Sequence, residues 1–431
     1  MKKSIYGPRF GCALQGALDT LIEIDQVVPV IHSIAGCGVS NAIAHRTGKV
    51  DTGRINGMAV AGTNVFEKQV IFGGGSRLRE ELKNATKVYK GELFVVLNSC
   101  ESAMVGDDII GMTNELSDQG FQAVHLENTS GFKGIAYAGY EQVFTAVISQ
   151  LASKPDADSA GQEEHEKTVN ILGILPGTDP YFRGTLDTLT TLLNNAGLKV
   201  NRFFGTPDGV AQLQNITRAD ATLVFSKWGY VPAKKLEDQY GIPFLYYPAV
   251  PVGAEQVERL LTELDELLGL DQDRLQALIA EQRQRFAYYY KGIRQTLISE
   301  FVFRDVAVVG VESTVLAVGS FLRQYMGANI KAAIVTDAVA RDDVDIPESG
   351  LRELAEEVYE TSDTGEIRRT IESNGIEVLL ASSLEKPVAD LLGIPFLSIS
   401  YPVTDRIILS KSYAGVDGAV SMIEDYVEIV T

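Results

Sequence analysis

Short apolar β-rich runs alternate with helical patterns along the whole chain, and this alternation restricts the fold more than any other feature. The first such runs are Val27–Ile31, Phe94–Leu97 and Ala123–Leu126. Strands that alternate with helices are typical of parallel sheets covered by helices on both faces. The pattern therefore predicts an α/β protein made of doubly wound parallel-sheet domains.

The alternation divides into three segments. A polar stretch at Lys154–Glu164 reads as a linker after the first of them. The second opens with a strand at Val169–Leu175 and a helix at Tyr181–Asn195, and the third repeats this plan from Asp305. We therefore predict a cysteine-bearing domain at 1–160, a second domain with a long helical region (Leu260–Ile298) at 161–300, and a third domain with a C-terminal helix at 301–431.

A short internal repeat supports duplicated units. Tyr240–Leu245 reads YGIPFL and Leu392–Leu397 reads LGIPFL. In each copy the glycine is predicted to end a helix, and the proline to precede a short strand.

Composition excludes some classes of partner. The chain has 38 Lys and Arg against 57 Asp and Glu, with a net charge of −19. We expect no binding to nucleic acid, because phosphate binding requires clustered basic residues. The N-terminus has no apolar stretch of signal-peptide length, and no segment reaches the roughly 18 apolar residues of a membrane span. We expect a cytoplasmic protein without membrane contact.

Cys12, Cys37 and Cys100 are the only cysteines. An odd number in a reducing compartment argues against a disulfide framework, and the lack of a CxxC pair argues against a zinc ribbon. Three interpretations stay open: buried apolar filler, one catalytic thiolate assisted by His32, or thiolate ligands of a metal site.

The neighbours of the cysteines favour ligation. Cys12 follows Gly11, Cys37 lies between two glycines, and Cys100 comes soon after the apolar run that ends at Leu97. Glycines allow the backbone to approach a bulky group, and the carboxyl end of a buried strand is where open α/β sheets bind ligands. Three thiolates are one short of a four-cysteine iron–sulfur site, so a further ligand must come from another residue type or another chain.

Other candidate motifs are weaker. Gly73–Ser76 follows a strand-like run at Val70–Phe72, but it matches neither common nucleotide-binding pattern and reads as a tight turn. Asp107 and Asp108 are predicted to cap a helix that begins near Ile109. The remaining histidines fit no mononuclear metal motif: we expect His45 and His165 to be exposed and His125 to end a strand.

Eight motifs along the chain form a recognisable series: Gly11–Ala17, His32–Gly38, Asn64–Gly74, Asn98–Ile109, Asn128–Gly134, Gly393–Phe396, Tyr401–Arg406 and Tyr413–Gly415. This series resembles the motifs of component 1 of nitrogenase and its relatives. The resemblance is strongest before residue 140 and extends to the C-terminus in the manner of a β-type subunit.

This resemblance implies a fold, a cofactor and partners. It implies three Rossmann-like domains and pairing with a homologous α-type subunit, as an α2β2 heterotetramer or, in some relatives, a homodimer. Cys12, Cys37 and Cys100 would bind an iron–sulfur cluster shared with the partner chain, either an 8Fe–7S P-type cluster or a 4Fe–4S cluster. An ATP-dependent iron protein reductase with its own 4Fe–4S cluster would supply the electrons.

The chain also departs from nitrogenase. It has no cysteine after Cys100 to anchor a catalytic cofactor, it lacks the long N-terminal arm of nitrogenase β subunits, and Ser130 lies only near the place of a serine that contacts the cluster there. Dinitrogen, a tetrapyrrole and a carbon–sulfur bond therefore remain alternative substrates for an electron-relay subunit. A scaffold for metallocluster maturation is the second hypothesis, and a cluster-free small-molecule-binding protein is the third.

Overall fold

The computed structural model describes most of the chain. The described residues are 6–38, 60–153, 166–206, 209–299, 303–339 and 344–431. The predicted linker and the two histidines His45 and His165 lie outside these ranges.

The first domain contains a four-stranded parallel sheet in the order β2-β1-β3-β4. Strands β1 and β3 are buried along their whole length, because helices cover both faces of the sheet. The elements are α1 (Ala13–Leu21), β1 (Val27–His32), β2 (Ala61–Gly62), α2 (Glu67–Phe72), α3 (Gly75–Val88), β3 (Leu93–Asn98), α4 (Cys100–Val105), α5 (Ile109–Asp118), β4 (Gln122–Leu126) and α6 (Ala136–Gln150).

The second domain has the same kind of sheet, in the order β6-β5-β7-β8, followed by two long helices. Its apolar core is continuous with that of the first domain. The elements are β5 (Thr168–Leu172), α7 (Phe182–Asn195), β6 (Lys199–Asn201), α8 (Gly209–Gln214), β7 (Ala221–Val224), α9 (Tyr230–Tyr240), β8 (Phe244–Tyr246), α10 (Ala254–Leu268) and α11 (Gln272–Ser299).

The third domain contains a five-stranded parallel sheet in the order β11-β10-β9-β12-β13. The C-terminal helix packs back against α10 and α11. The elements are β9 (Asp305–Gly310), α12 (Glu312–Met326), β10 (Asn329–Val335), α13 (Leu351–Leu354), β11 (Glu357–Glu360), α14 (Thr364–Ser373), β12 (Val378–Ala381), α15 (Lys386–Leu392), β13 (Phe396–Ser398) and α16 (Gly415–Val430).

Three Rossmann-like parallel-sheet domains confirm the predicted fold class. The domain limits near 160 and 300 stay predictions, since the chain is not described at 154–165 and 300–302. No helix of the described residues is long and apolar enough to cross a membrane.

Three local predictions were wrong in detail. Val70–Phe72 belongs to helix α2 rather than to a strand. The strand predicted to reach Leu175 ends at Leu172, because Gly173 adopts a φ of +88°. The single long helical region is two helices, since Gly269, with a φ of +64°, ends α10.

All three domains contribute to one aromatic contact. The indole of Trp228 in the second domain stacks on Tyr137 of the first, with ring centroids 5.6 Å apart. Its Nε1 donates a hydrogen bond of 2.8 Å to Oδ2 of Asp337 in the third domain.

Candidate functional site

Two cysteines follow neighbouring strands of the first sheet. His32, the last residue of β1, pairs with Asn98, the last residue of β3. Cys37 lies in the helical turn at 35–38, and Cys100 is the first residue of α4. Because parallel strands end at the same edge of a sheet, both thiols leave the sheet at its carboxyl edge.

Cys12 reaches this edge from a different direction. It is the residue before α1, and it forms an antiparallel bridge with Ile135. The amide of Ala13 donates to the carbonyl of Gly134 at 3.0 Å, and the amide of Ala136 donates to the carbonyl of Gly11 at 2.9 Å. The loop that precedes α6 therefore fixes the backbone on both sides of Cys12.

Gly131, in the same loop, contacts two of the cysteines. Its amide donates a hydrogen bond of 3.0 Å to Sγ of Cys100. A Cβ atom added to Gly131 would lie 3.2 Å from Cβ of Cys12 and 3.3 Å from Sγ of Cys100. The loop thus closes over both thiols, and glycine is the residue that leaves room for them.

The three thiols interact electrostatically. The pKa of Cys37 is raised to about 11, chiefly by burial and then by the carboxylate of Glu101 and the charges of Cys12 and Cys100. A hydrogen bond with the Ser33 side chain opposes the rise. Three thiolates at this position would repel one another, and a positively charged inorganic group would compensate that repulsion.

His32 pairs with a carboxylate rather than with a thiol. Its Nε2 lies 2.9 Å from Oδ2 of Asp107, and its Nδ1 lies 3.1 Å from Oγ1 of Thr63. Burial lowers the pKa of His32 more than Asp107 raises it, so the imidazole is held in its neutral form.

The two neighbouring aspartates have different roles. Asp108 accepts a hydrogen bond from the amide of Gly111 at 2.8 Å, which confirms that it caps the helix from Ile109. The predicted capping role was wrong for Asp107, whose Oδ1 accepts the amide of Gly74 at 2.6 Å. The carboxylate of Asp107 therefore lies at the N-terminal end of α3, beside the glycine-rich turn that contains Gly74.

No group of three or more His, Cys, Asp or Glu side chains in the described ranges is arranged to hold a metal ion. The three thiols do not form a site for one mononuclear ion, and a cluster of several irons is a larger group with more widely spaced ligands. Ser130 is fully buried beside Gly131, and its Oγ has no hydrogen-bond partner among the described residues.

An exposed apolar surface lies next to the cysteines. Helix α2 packs against α4, which begins with Cys100, and none of the α2 residues is buried. Met104, one turn after Cys100 on α4, is 79% exposed, and Phe72 is 80% exposed. We call this surface the α2–α4 patch; it consists of Phe66, Val70, Ile71, Phe72 and Met104.

The sequence indicated the three cysteines as candidate ligands but not the residues that surround them. Asn128–Gly134 was noted as a motif, yet nothing in it distinguishes Gly131 as the residue in contact with two thiols. The pair of His32 and Asp107 is separated by 75 positions and leaves no local pattern.

Comparison with known families gives one match that covers almost the whole chain. The family model for nitrogenase component 1 type oxidoreductases matches residues 12–431.

Individual relatives have low sequence identity to this chain, but each aligns with nearly its whole length. The chain is 23% identical to the nitrogenase molybdenum-iron protein beta chain of Clostridium pasteurianum, over 98% of this chain and 92% of that protein. It is also 23% identical to the nitrogenase iron-molybdenum cofactor biosynthesis protein NifE of Mesorhizobium japonicum, over 96% of this chain and 80% of that protein. A solved structure titled nitrogenase Cp1 at pH 6.5 superimposes with a TM-score of 0.80 at 19% identity, over all of this chain and 94% of that one.

Proposed function

We propose that this chain, which belongs to the nitrogenase component 1 type oxidoreductase family, is a β-type subunit that relays electrons through an iron–sulfur cluster. Cys12, Cys37 and Cys100 are the proposed ligands. Electrons would come from an ATP-dependent iron protein reductase and pass to a catalytic site in an α-type partner.

The observation that carries the proposal is the position of the three thiols. They come from separate parts of the first domain, and they are close enough to raise the pKa of Cys37. Gly131 leaves space beside two of them and donates its amide to one. An amide that donates to a thiolate stabilises its negative charge and tunes the potential of a bound cluster.

The donor set fits an iron–sulfur cluster shared with another chain. Thiolates are the usual ligands of such clusters, and this chain supplies only three. Each cysteine is partly exposed, and the α2–α4 patch beside Cys100 is apolar and open to solvent. A partner polypeptide over this surface would supply the missing ligands and exclude water. A 4Fe–4S and an 8Fe–7S cluster both agree with this donor set.

A maturation scaffold is the second candidate. The similarity to NifE, a cofactor biosynthesis protein by its name, favours it, because that protein shares as large a fraction of identical residues as the beta chain does. Reductases of tetrapyrroles or of carbon–sulfur bonds are the alternatives within the first candidate.

Metal analysis tests the ligand assignment. We expect anaerobically prepared protein with its partner chain to contain iron and acid-labile sulfide, and Cys37→Ala to lose most of both. Thr145→Ala is the control, since it trims a hydroxyl that has no hydrogen-bond partner within the described part of the first domain. Full iron content in Cys37→Ala would contradict ligation by this residue.

Turnover separates the two candidate functions. With a cognate reductase and ATP, an electron-relay subunit supports reduction of an acceptor by its complex. A complex that contains the cluster but reduces no acceptor under these conditions would favour the scaffold.

A further inference from the structure

The chain just before Cys12 is bound to the third domain. We call residues 6–12 the N-terminal strap. The amide of Tyr6 donates to Oδ2 of Asp363 at 2.7 Å, and the amide of Thr364 donates back to the carbonyl of Tyr6 at 3.1 Å. Oγ1 of Thr364 also donates to the carbonyl of Gly7 at 2.8 Å. The start of α14 therefore holds one end of the strap.

A buried ion pair holds the middle of the strap. Arg9 is only 5% exposed, and Glu385 is 1% exposed. Nη1 of Arg9 donates to Oγ of Ser382 at 2.7 Å and to Oε2 of Glu385 at 3.2 Å, while Nη2 pairs with Oε1 of the same carboxylate. Removal of either partner leaves an uncompensated buried charge, so this contact strongly constrains the strap.

The other end of the strap is Cys12, which the first domain holds through the bridge to Ile135. Cys12 is three positions after Arg9, which is about 10 Å of extended chain at most. Between them, the ring of Phe10 packs edge-on against Tyr137 with centroids 4.8 Å apart. The short span leaves Cys12 little freedom to move independently of Arg9.

We propose that Arg9 is a positioning residue for Cys12, and that the third domain, which has no cysteine, thereby forms part of the cluster site. The inference rests on the proposed role of Cys12 as a ligand. Arg9 acts through the backbone of the strap: it touches Glu385 and Ser382, and it sets where the first thiol lies relative to Cys100.

The first test uses the full chain without cluster. Iodoacetamide alkylation of each cysteine is followed by peptide mass spectrometry in the wild type, Arg9→Met and Arg9→Lys. We expect Arg9→Met to accelerate alkylation of Cys12 several-fold relative to Cys100, and Arg9→Lys, which retains the charge, to restore part of the protection. Equal changes at the two cysteines, or no change, would overturn the proposal.

Two further variants keep this test decisive. Arg368→Met removes an exposed arginine that pairs with Glu372 within the third domain, and it is expected to alkylate like the wild type. If Arg9→Met fails to fold, Glu385→Gln weakens the same contact while it keeps a hydrogen-bonding side chain at the position. An unchanged ratio of Cys12 to Cys100 alkylation in Glu385→Gln would also count against the proposal.

The second test uses the assembled protein with its cluster. The electron paramagnetic resonance spectra of the protein, recorded in both the reduced and the oxidised state, should differ between Arg9→Met and the wild type at equal iron content, and should be unchanged in Arg368→Met. Identical spectra for all three would refute the positioning role. A wild type without iron would instead refute the proposed function, and the alkylation ratio would still decide whether the strap positions Cys12.

Discussion

Gly131 lies where a single methyl group would alter the cysteine site. In Gly131→Ala the new Cβ would lie 3.2 Å from Cβ of Cys12 and 3.3 Å from Sγ of Cys100, closer than ordinary van der Waals contact, so the loop or the cysteines must shift by a few tenths of an ångström. We expect the variant to bind less iron than the wild type in the assembled protein. Iron analysis per chain measures the effect.

Gly292→Ala is the matched control for Gly131→Ala. An added Cβ at Gly292 meets no atom within 4 Å. Equal iron in Gly131→Ala and Gly292→Ala would show that the loop can move aside, and would weaken the argument that glycine is required beside the thiols.

A buried carboxyl group away from the cysteines predicts a pH dependence. Asp179 faces a cavity of about 50 Å³ between the second and third domains, and burial raises its pKa from 3.8 to about 6. Its Oδ1 accepts the amide of Tyr181 at 2.8 Å, a hydrogen bond that asparagine can also accept. At neutral pH the folded state therefore holds an unfavourable charge.

We expect Asp179→Asn to increase the free energy of unfolding by about 1–3 kcal/mol at pH 7. The pKa of Asp179 is higher in the folded state than in the unfolded state. The protonated carboxyl group therefore contributes its full stability below the unfolded pKa. This contribution is lost as the pH rises through about 6. The gain from the substitution should therefore disappear near pH 4. Denaturant titrations at the two pH values measure this, and an equal difference at both would disprove the assignment.

At this scale the sequence indicated the three cysteines as candidate ligands, which stays a prediction, but it did not indicate the residues around them. The cysteines were recognisable because each lies beside a glycine or a strand end. The contacts of Gly131, Arg9 and Asp107 could not be predicted, because each joins residues that are at least 31 positions apart.

Among the elements, both copies of the GIPFL repeat form the end of a helix followed by a short edge strand. Gly241 and Gly393 end α9 and α15 with φ values of +70° and +66°, and the strands that follow, β8 and β13, lie at the edges of their sheets. This agreement confirms the predicted joints. Left-handed backbone at both positions explains why glycine occurs in both copies.

Gly393→Ala isolates the energetic cost of that backbone conformation. An added Cβ at Gly393 meets no atom within 4 Å, so the expected loss of about 1 kcal/mol in the free energy of unfolding comes from φ alone. Gly292→Ala, in the interior of α11 with no unusual φ, should instead stabilise by about 0.8 kcal/mol. Chemical denaturation of both variants measures these changes, and changes of the same sign would contradict the argument.

The elements predicted correctly were those with long buried runs, such as β1 and β3. The run Val70–Phe72 misled because three apolar residues fit a strand or a helix equally well. The structure shows that these residues lie exposed on a short helix that packs against α4.

At the scale of the whole molecule, the α2–α4 patch gathers five exposed apolar side chains of the described residues on two helices that pack together. Large contiguous apolar patches on a soluble protein are typical of interaction sites and promote association. We expect the isolated chain to self-associate at high concentration, and Phe72→Glu combined with Met104→Glu to reduce this. Sedimentation velocity over a concentration series measures it.

Tyr288→Glu is the control for the charged double variant. The side chain of Tyr288 is as exposed as those of the patch residues, but it lies on α11, outside the α2–α4 patch. If Tyr288→Glu reduced association as strongly as the double variant, total charge rather than the patch would be responsible.

The chain contains a single tryptophan, and it lies where the three domains meet. Its fluorescence therefore reports on one known place without any label. A shift of one domain against the others would change the polarity around the indole and move its emission maximum. Insertion of a strongly absorbing inorganic group into the first domain would shorten the excited-state lifetime, so the arrival of iron could be followed in real time by light alone.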